Sequence, residues 1–211
     1  MKIIKHEHAC LEVSVGDERL VIDPGNFLSA TDFHDVVAVV VTHEHADHWT
    51  PDTLARLLED NPGIPIYGPP GVAAAASGFE VTVVTAGDRV EAGDIRLRFF
   101  GGVHAEIHSS IPRIDNLGVL VNDELYYPGD SYAVPEGVEV GTLAAPVGAP
   151  WLKIGEAMDF VLAVAPRRAF YTHDMTLSAA GKAMGAARLG WATEQGGGQF
   201  TSLQPGEALD V

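Results

Sequence analysis

The segment 36–49, Val-Val-Ala-Val-Val-Val-Thr-His-Glu-His-Ala-Asp-His-Trp, places the strongest constraint on how this chain can fold. Residues 36–41 are apolar and mostly β-branched, which is typical of a strand buried on both faces. Potential metal ligands follow at once, namely His43, His45, Asp47 and His48. An open α/β sheet places its functional site outside the carboxyl ends of its strands. The segment therefore predicts a metal centre at the end of a buried strand, with later segments supplying the remaining ligands.

The spacing of these four residues suits two ions. His43 and His45 lie two residues apart, so their side chains point the same way in extended chain and can bind one ion. Asp47 and His48 follow where the chain turns towards a helix, and they can face a second ion. Zn²⁺ binds histidine nitrogen and aspartate oxygen at roughly 2.0–2.2 Å. Two-metal sites hold their ions about 3.5–4 Å apart.

Three later residues are candidates for the missing ligands, because each follows a predicted strand. His104 would complete a three-histidine site, although the residues alone leave His108 as an alternative. Asp130 has two oxygens that suit a bridging ligand, and His173 can close the second site. Residues of ligand type thus end strands near positions 23, 43, 104, 130 and 173. We expect these strand ends to meet at one edge of the fold.

Alternating strands and helices predict an α/β chain with a partly parallel sheet. Helices are predicted from the N-cap Thr50 to Asn61, at 71–76 and at 178–189. Residues 160–165 are a strand candidate, with a helix over 156–164 as the alternative. The other predicted strands are 2–5, 11–15, 19–23, 36–41, 64–67, 81–85, 89–90, 95–100, 117–121, 125–127 and 169–172. No linker is evident, so residues 1–211 are predicted to form a single domain.

Composition excludes several classes of partner. Thirteen basic against 29 acidic residues give a formal charge of −16, which argues against a nucleic-acid surface and against an anionic membrane face. A small-molecule substrate remains, and a homo-oligomer is compatible with the sequence. Cys10 is the one cysteine, so no intrachain disulfide can form. Without a signal peptide or a long apolar run, a cytoplasmic location is expected.

The motif His43-Glu-His45-Ala-Asp47-His48, followed by His104, Asp130 and His173, resembles the metallo-β-lactamase superfamily of hydrolases. The segment 5–25, with His8-Ala-Cys10 and Ile22-Asp23-Pro24-Gly25, is similar to its branch of ascorbate-6-phosphate lactonase-like metal-dependent hydrolases. The resemblance implies a four-layer αββα sandwich of two mixed β-sheets with a dinuclear site along one edge. It implies that His43, His45 and His104 bind the first metal, that Asp47, His48 and His173 bind the second, and that Asp130 bridges them. It also implies that Asp23 supports the site without binding metal and that His8 lies near the second metal.

Such a site predicts hydrolysis. A divalent ion lowers the pKa of bound water from ~15.7 to near 7, so that hydroxide is available at neutral pH. Asp47 is the predicted catalytic residue, because it can orient the hydroxide or carry its proton. The expected cofactors are two divalent ions, zinc first, with manganese or iron as alternatives. The expected substrate is a small lactone or phosphoester, and His108, Arg113, Tyr132 and Trp151 are candidates for the pocket wall.

Two other readings remain at the level of the residues. Ser131, Asp159 and His173 occur in the order of an α/β-hydrolase triad, around Gly129-Asp-Ser131-Tyr-Ala133. However, Pro135 and Gly137 follow where the nucleophile elbow needs a helix, and the histidine cluster would have no role. A non-catalytic metal-binding paralogue or sensor is the other alternative. Insensitivity to chelators would favour the serine hydrolase, and metal binding without turnover would favour the sensor.

Overall fold

The computed structural model describes residues 1–29 and 32–211. The predicted irregular segment 26–35 is partly outside these ranges, at residues 30 and 31. The helices are α1 Pro51–Asp60, α2 Pro70–Ala75, α3 Ile154–Val164 and α4 Ala179–Gln195. The strands are β1 Lys2–Lys5, β2 Leu11–Val15, β3 Glu18–Ile22, β4 Val36–Val40, β5 Ile66–Gly68, β6 Val81–Val83, β7 Arg89–Ala92, β8 Ile95–Gly101, β9 Leu117–Val121, β10 Leu125–Tyr127, β11 Thr142–Pro146, β12 Arg168–Thr172, β13 Gln199–Phe200 and β14 Ala208–Asp210.

The strands form two mixed sheets with the same plan. The first has the order β14-β1-β2-β3-β4-β5-β6, and the second has the order β13-β12-β11-β10-β9-β8-β7. In the first sheet, pairing is antiparallel from β14 to β3 and parallel from β3 to β6. In the second, pairing is antiparallel from β7 to β10 and parallel from β10 to β13. Each sheet therefore carries an antiparallel half and a parallel half.

Three hydrophobic clusters define the layers. The inner cluster joins the two sheets, with Leu20 and Val40 from the first and Phe99 and Phe170 from the second. A second cluster joins the outer face of the first sheet to α1 and α2, and a third joins the outer face of the second sheet to α3 and α4. The layer order is helix, sheet, sheet, helix. The predicted αββα sandwich is confirmed.

Strand β4 shows why the sequence folds this way. Ala38 and Val40 belong to the cluster between the sheets, whereas Val39 and Val41 belong to the cluster under α1 and α2. Alternate residues of a strand face opposite sides, so burial on both faces requires an unbroken apolar run. The run ends at Thr42, and the first predicted ligand follows it. Residue 43 is therefore held at the carboxyl end of a strand packed on both faces.

The predicted elements differ from the structure at α3 and at three strands. The strand candidate 160–165 is wrong, and the alternative helix is correct, because Ala157, Phe160 and Val161 form the buried face of α3. Their spacing of three and four residues is the helical period. Strands β11, β13 and β14 were not predicted, although all five residues of β11 are buried. Among the described residues, no helix is both long and apolar enough to cross a membrane.

Candidate metal centre

The predicted ligands follow strands of both sheets and meet at one edge. His43 follows β4 of the first sheet, and His104, Asp130 and His173 follow β8, β10 and β12 of the second. Asp23 follows β3. The expectation that five strand ends converge is confirmed by the side-chain contacts between the residues that follow these strands. The loop between β4 and α1 carries the rest of the cluster, and α1 begins where predicted, with the hydroxyl of Thr50 accepting from the amide of Thr53.

Three histidines form the first group. Ligand atoms of His43, His45 and His104 all lie within 4.8 Å of one another. His43 Nε2 and His45 Nδ1 are 3.1 Å apart. Donors bound at roughly 2.1 Å to one tetrahedral zinc ion are separated by about 3.4 Å, so this spacing fits a shared ion. His108 is exposed, and its Nδ1 contacts the hydroxyl of Ser110.

A second group lies beside the first and shares Asp130. His48 Nε2 and His173 Nε2 are each 3.3 Å from Asp130 Oδ1. Asp130 Oδ2 is 3.4 Å from His104 Nε2, so the two oxygens of this carboxylate face different groups. Asp47 Oδ2 is 3.3 Å from His173 Nε2 and 4.0 Å from His48 Nε2. All seven predicted ligand side chains are therefore brought together.

Hydrogen bonds at the far nitrogens orient three of the imidazoles. The Nδ1–H groups of His104 and His173 donate to the carbonyl oxygens of Ala105 and Gly148, each over 2.6 Å. His48 Nδ1–H donates to Asp23 Oδ2 over 2.7 Å. A neutral imidazole has one proton, so these bonds leave each Nε2 with a lone pair directed at the centre. Such outer hydrogen bonds are what metal-binding histidines require.

The atoms at the centre are buried and lack partners. His48 Nε2, His104 Nε2, His173 Nε2 and Asp130 Oδ1 have no hydrogen-bond partner among the residues that the structure describes. An unsatisfied buried polar atom costs about 1–3 kcal/mol, so four of them at one point call for a ligand. Histidine nitrogen and carboxylate oxygen are the donors that zinc, iron and manganese accept. The residues present therefore fit divalent metal ions.

The electrostatics of the cluster point the same way. Burial lowers the pKa of His43 and of His45, which keeps both rings neutral and able to bind metal. Burial also disfavours protonation of His173, but Asp130 and Asp47 outweigh it and raise its pKa to about 9. Burial likewise opposes ionisation of Asp130, yet the neighbouring histidines His173 and His48 hold the pKa of this carboxyl well below its ordinary value. The ionised carboxylates are thus stabilised by positive charge at the centre, and divalent cations can provide that charge.

Asp23 supports the cluster as expected from the resemblance. Its carboxylate is fully buried, and Oδ1 accepts from the Thr42 amide over 2.8 Å. Oδ2 accepts from the Thr42 hydroxyl and from His48, each over 2.7 Å. The turn that follows is packed so closely that a Cβ on Gly25 would overlap the carbonyl oxygen of Asp47. Only glycine leaves room there, so the close approach of this turn fixes the position of the loop backbone at Asp47.

The serine triad is not assembled. The Ser131 hydroxyl donates to the carbonyl oxygen of Pro128, and His173 Nδ1 is bonded to Gly148. Asp159 lies on the exposed side of α3. No helix begins directly after Ser131, because the next helix, α3, starts only at Ile154. The order of these residues in the sequence therefore has no counterpart in space.

A cleft of about 530 Å³ opens beside His104. Three of the candidate wall residues, Arg113, Tyr132 and Trp151, line it, together with Glu106 and Glu156, whereas His108 is not among its lining residues. The Trp151 indole N–H donates to Asp130 Oδ2 over 2.7 Å, and its ring meets those of His104 and Tyr132 edge to face. The sequence marked Trp151 only as a wall residue, and nothing in its position along the chain signals the bond to Asp130.

Comparisons with known proteins agree with this geometry. Residues 2–173 match the family model described as the β-lactamase superfamily domain. The chain belongs to the metallo-β-lactamase superfamily. It is 40% identical to Protein Rv0786c of Mycobacterium tuberculosis over 179 aligned residues, and this alignment covers 82% of this chain and 84% of that protein. It is 29% identical over 139 residues to the UPF0173 metal-dependent hydrolase RD1_1994 of Roseobacter denitrificans, which covers 60% of each.

The metallo-β-lactamase fold is also found among solved structures. Igni18, described as a metallo hydrolase of the archaeon Ignicoccus hospitalis, superposes with a TM-score of 0.74 at 18% identity, covering 99% of this chain and 97% of that one. The chain described in this structure, as a member of the metallo-β-lactamase superfamily, is a metal-dependent hydrolase, as its sequence predicted.

Proposed function

We propose that this hydrolase holds two divalent ions and cleaves a small uncharged lactone or similar carboxylic ester. The observation that carries the proposal is the set of partnerless buried atoms at the centre, which belong to both groups of ligands. Three of these atoms are imidazole nitrogens whose partner nitrogens are already bonded to protein oxygens. In the neutral rings their Nε2 lone pairs point to the centre, where they can bind a ligand.

The ligand groups suggest a division between two ions. His43, His45 and His104 would hold one ion. Asp47, whose Oδ2 lies beside both His48 and His173, would hold the other ion together with these two histidines. Asp130 would bridge them, because Oδ2 lies beside His104 and Oδ1 lies beside His48 and His173. Zinc is the expected metal, with manganese or iron as alternatives, since all three accept this donor set.

When bound, the ions would supply a hydroxide nucleophile at neutral pH and polarise the bond that is attacked. Asp47 would orient this nucleophile and carry a proton towards the leaving group. Its side chain is 28% exposed, unlike the buried histidines around it, so it can face both the centre and the substrate. Trp151 would hold Asp130 in its bridging orientation through the indole N–H.

The charges of the cleft favour an uncharged substrate. Its charged lining residues are Glu106, Arg113 and Glu156. Arg113 pairs with Glu106, with 3.3 Å between Nη2 and Oε2, and Glu156 pairs with Lys153, with 3.6 Å between Oε1 and Nζ, so this lining offers no unpaired positive side chain to an anionic substrate. A phosphate monoester would therefore gain no ion pair from this wall, whereas a lactone ring can pack against Tyr132. The resemblance of residues 5–25 to the lactonase-like branch favours the same class. A phosphodiester is the second candidate, because a substrate that displaced Glu106 would meet Arg113.

A substrate panel tests this proposal. Purified protein would be assayed for bound metal by elemental analysis and then given dihydrocoumarin as the lactone, bis(p-nitrophenyl) phosphate as the phosphodiester and an acyl thioester. We expect two equivalents of metal and a preference for the lactone. Preference for the phosphodiester would support the second candidate, and two metals without turnover would support the sensor.

The first prediction concerns Asp47 itself. Asp47→Ala is expected to abolish hydrolysis while the far-ultraviolet circular dichroism spectrum stays unchanged, because the side chain is partly exposed and belongs to no hydrophobic cluster. Asp159→Ala is the matched control, since it removes the acid of the rival triad from the exposed side of α3. Loss of activity in Asp159→Ala, or turnover by a chelator-treated sample, would contradict the metal mechanism.

A further inference from the structure

His8 lies beside two residues of the second ligand group, Asp47 from the first sheet's loop and His173 from the second sheet. It follows β1 and is fully buried. Its carbonyl oxygen accepts from the amide of His173 over 2.7 Å, and its ring centroid is 3.9 Å from that of His173. Ligand atoms of His8, Asp47 and His173 lie within 4.8 Å of one another, so distance alone would allow His8 to bind a metal ion.

The hydrogen bonds of His8 distinguish a ligand from a donor. The backbone amide of Met175 donates to His8 Nδ1 over 3.2 Å. A backbone N–H can only donate, so Nδ1 is the acceptor and the ring proton is on Nε2. His8 Nε2 lies 3.2 Å from Asp47 Oδ2 and therefore donates to it. This is the reverse of His104 and His173, whose protons are on Nδ1 and whose Nε2 atoms face the centre.

We propose that His8 is a positioning residue that donates from Nε2 to Asp47 and binds no metal ion. Asp47 is on the loop between β4 and α1, and rotation of its carboxylate would exchange the oxygen that faces His173. The bond from His8 holds Oδ2 in that place. The same segment also contacts the His173 backbone, so it aligns two of the proposed second-site ligands at once. The need to hold Asp47 rests on the proposed function, whereas the position of the His8 proton follows from its hydrogen bonds alone.

The proton on His8 can be observed directly. Long-range ¹H–¹⁵N correlation spectra of histidine-labelled protein would be recorded without metal and with added Zn²⁺, and the signals of His8 would be assigned from their loss in His8→Asn. We expect a protonated Nε2 and an unprotonated, uncoordinated Nδ1 in both states. A proton on Nδ1, or a zinc-coordinated chemical shift at Nε2, would overturn the proposal.

Two substitutions separate positioning from structural support. In His8→Asn the short side-chain oxygen can still accept from Met175, but no donor reaches Asp47. In His8→Gln the longer amide can donate to Asp47, but the acceptor for Met175 is lost. The φ of His8 is 59°, in the left-handed region that asparagine tolerates better than glutamine. At position 8, asparagine should therefore destabilise the fold less than glutamine does, but it should leave Asp47 without its hydrogen-bond donor.

The two variants are thus expected to rank in opposite orders. His8→Asn should be the more thermally stable, yet its kcat on dihydrocoumarin should fall by about tenfold or more, as is usual when a hydrogen bond to a metal-binding carboxylate is lost. His8→Gln should keep most of its kcat, and both should bind as many equivalents of Zn²⁺ as the unmodified protein. Equal losses of kcat in both variants, or one fewer Zn²⁺ in His8→Asn, would overturn the proposal. If the unmodified protein bound no Zn²⁺ or left the lactone intact, the proposed function would fail, and the spectra of metal-free protein would still decide the role of His8.

Discussion

Trp151 contributes to the centre without providing a ligand atom. Its indole N–H is bonded to the oxygen of Asp130 that faces His104. Trp151→Phe would remove this donor and keep an aromatic ring against Tyr132 and His104. We expect the affinity for Zn²⁺ to fall by about tenfold or more, because the proposed bridging carboxylate would lose its anchor. Competition with a chromophoric chelator measures this affinity.

Trp191→Phe is the control for that substitution. Trp191 is on α4 and is 47% exposed, so the same chemical change there should leave Zn²⁺ affinity unaltered. If the two variants bind Zn²⁺ equally well, the bond between Trp151 and Asp130 has no part in holding the metal.

At this scale the sequence predicted ligand types but not their orientation. The cluster from His43 to His48 is visible because four potential ligands crowd behind an apolar run. The bonds that direct His104 and His173 are made to the carbonyl oxygens of Ala105 and Gly148. Every residue has a carbonyl oxygen, so no residue type could have indicated them. The choice of His104 over His108 likewise depended on the path of the chain after β8.

At the scale of elements, local patterns predicted most strands and helices. The predicted strands 117–121 and 125–127 are joined by a tight turn at Asn122 and Asp123, and both residues have positive φ, as a type I′ hairpin turn requires. The fully apolar run 160–165 suited either a strand or a helix, and packing of α3 on the second sheet decided for the helix. The run 142–146 of β11 is short and ends in proline, so only its pairing with β10 and β12 makes it a strand.

An ion pair links the ends of β1 and β12 across the sheets. Lys5 Nζ is 3.0 Å from Asp174 Oδ1, both side chains are fully buried, and Lys182 from α4 is 2.7 Å from Oδ2. Burial opposes ionisation of Asp174, but Lys5 and Lys182 outweigh it, so the pKa of this carboxyl lies below its ordinary value. Its ionised form therefore contributes stability above the unfolded-state pKa, and this contribution is lost as the pH falls through the folded-state pKa.

We therefore expect Asp174→Asn to lower the free energy of unfolding at about pH 6 and to matter much less at about pH 2 to 3. Urea titrations of metal-free protein at both pH values would measure this difference. Asp159→Asn, a change on the exposed side of α3, should have little effect at either pH. A loss in Asp174→Asn that grew as the pH fell would contradict the assigned direction of the pKa shift.

At the scale of the whole molecule, the proposed metals should stabilise the fold. Their ligands come from loops of both sheets, so unfolding would disperse the donors and release the ions. An ion present at about 100 times its dissociation constant adds about 2.7 kcal/mol to the free energy of unfolding, provided that it does not bind the unfolded chain. We expect the melting temperature to rise with Zn²⁺ and to fall again with a chelator, as followed by calorimetry.

His45→Ala is the control for metal stabilisation. His45 is only partly buried, so its removal should scarcely change the melting temperature of the metal-free protein, while the increase caused by Zn²⁺ should become smaller. An equal increase in the variant and in the unmodified protein would show that Zn²⁺ stabilises the fold at some other place.

The sequence alone determined most of the elements and the types of donor atom at the centre, because a strand buried on both faces needs consecutive apolar residues and metals need particular donor atoms. It could not determine which lone pairs reach the centre. That depends on where each imidazole proton resides, and the proton is placed by the group bonded to Nδ1: the carbonyl oxygen of the adjacent Ala105 for His104, the carbonyl oxygen of Gly148 for His173, Asp23 for His48, and the Met175 amide for His8. The partners of His48, His173 and His8 are distant in sequence, so only the tertiary fold brings them within hydrogen-bond distance, and the contact between His8 and Met175 joins segments of different sheets. The tertiary structure therefore decided which histidines face the centre as acceptors and which one donates to Asp47.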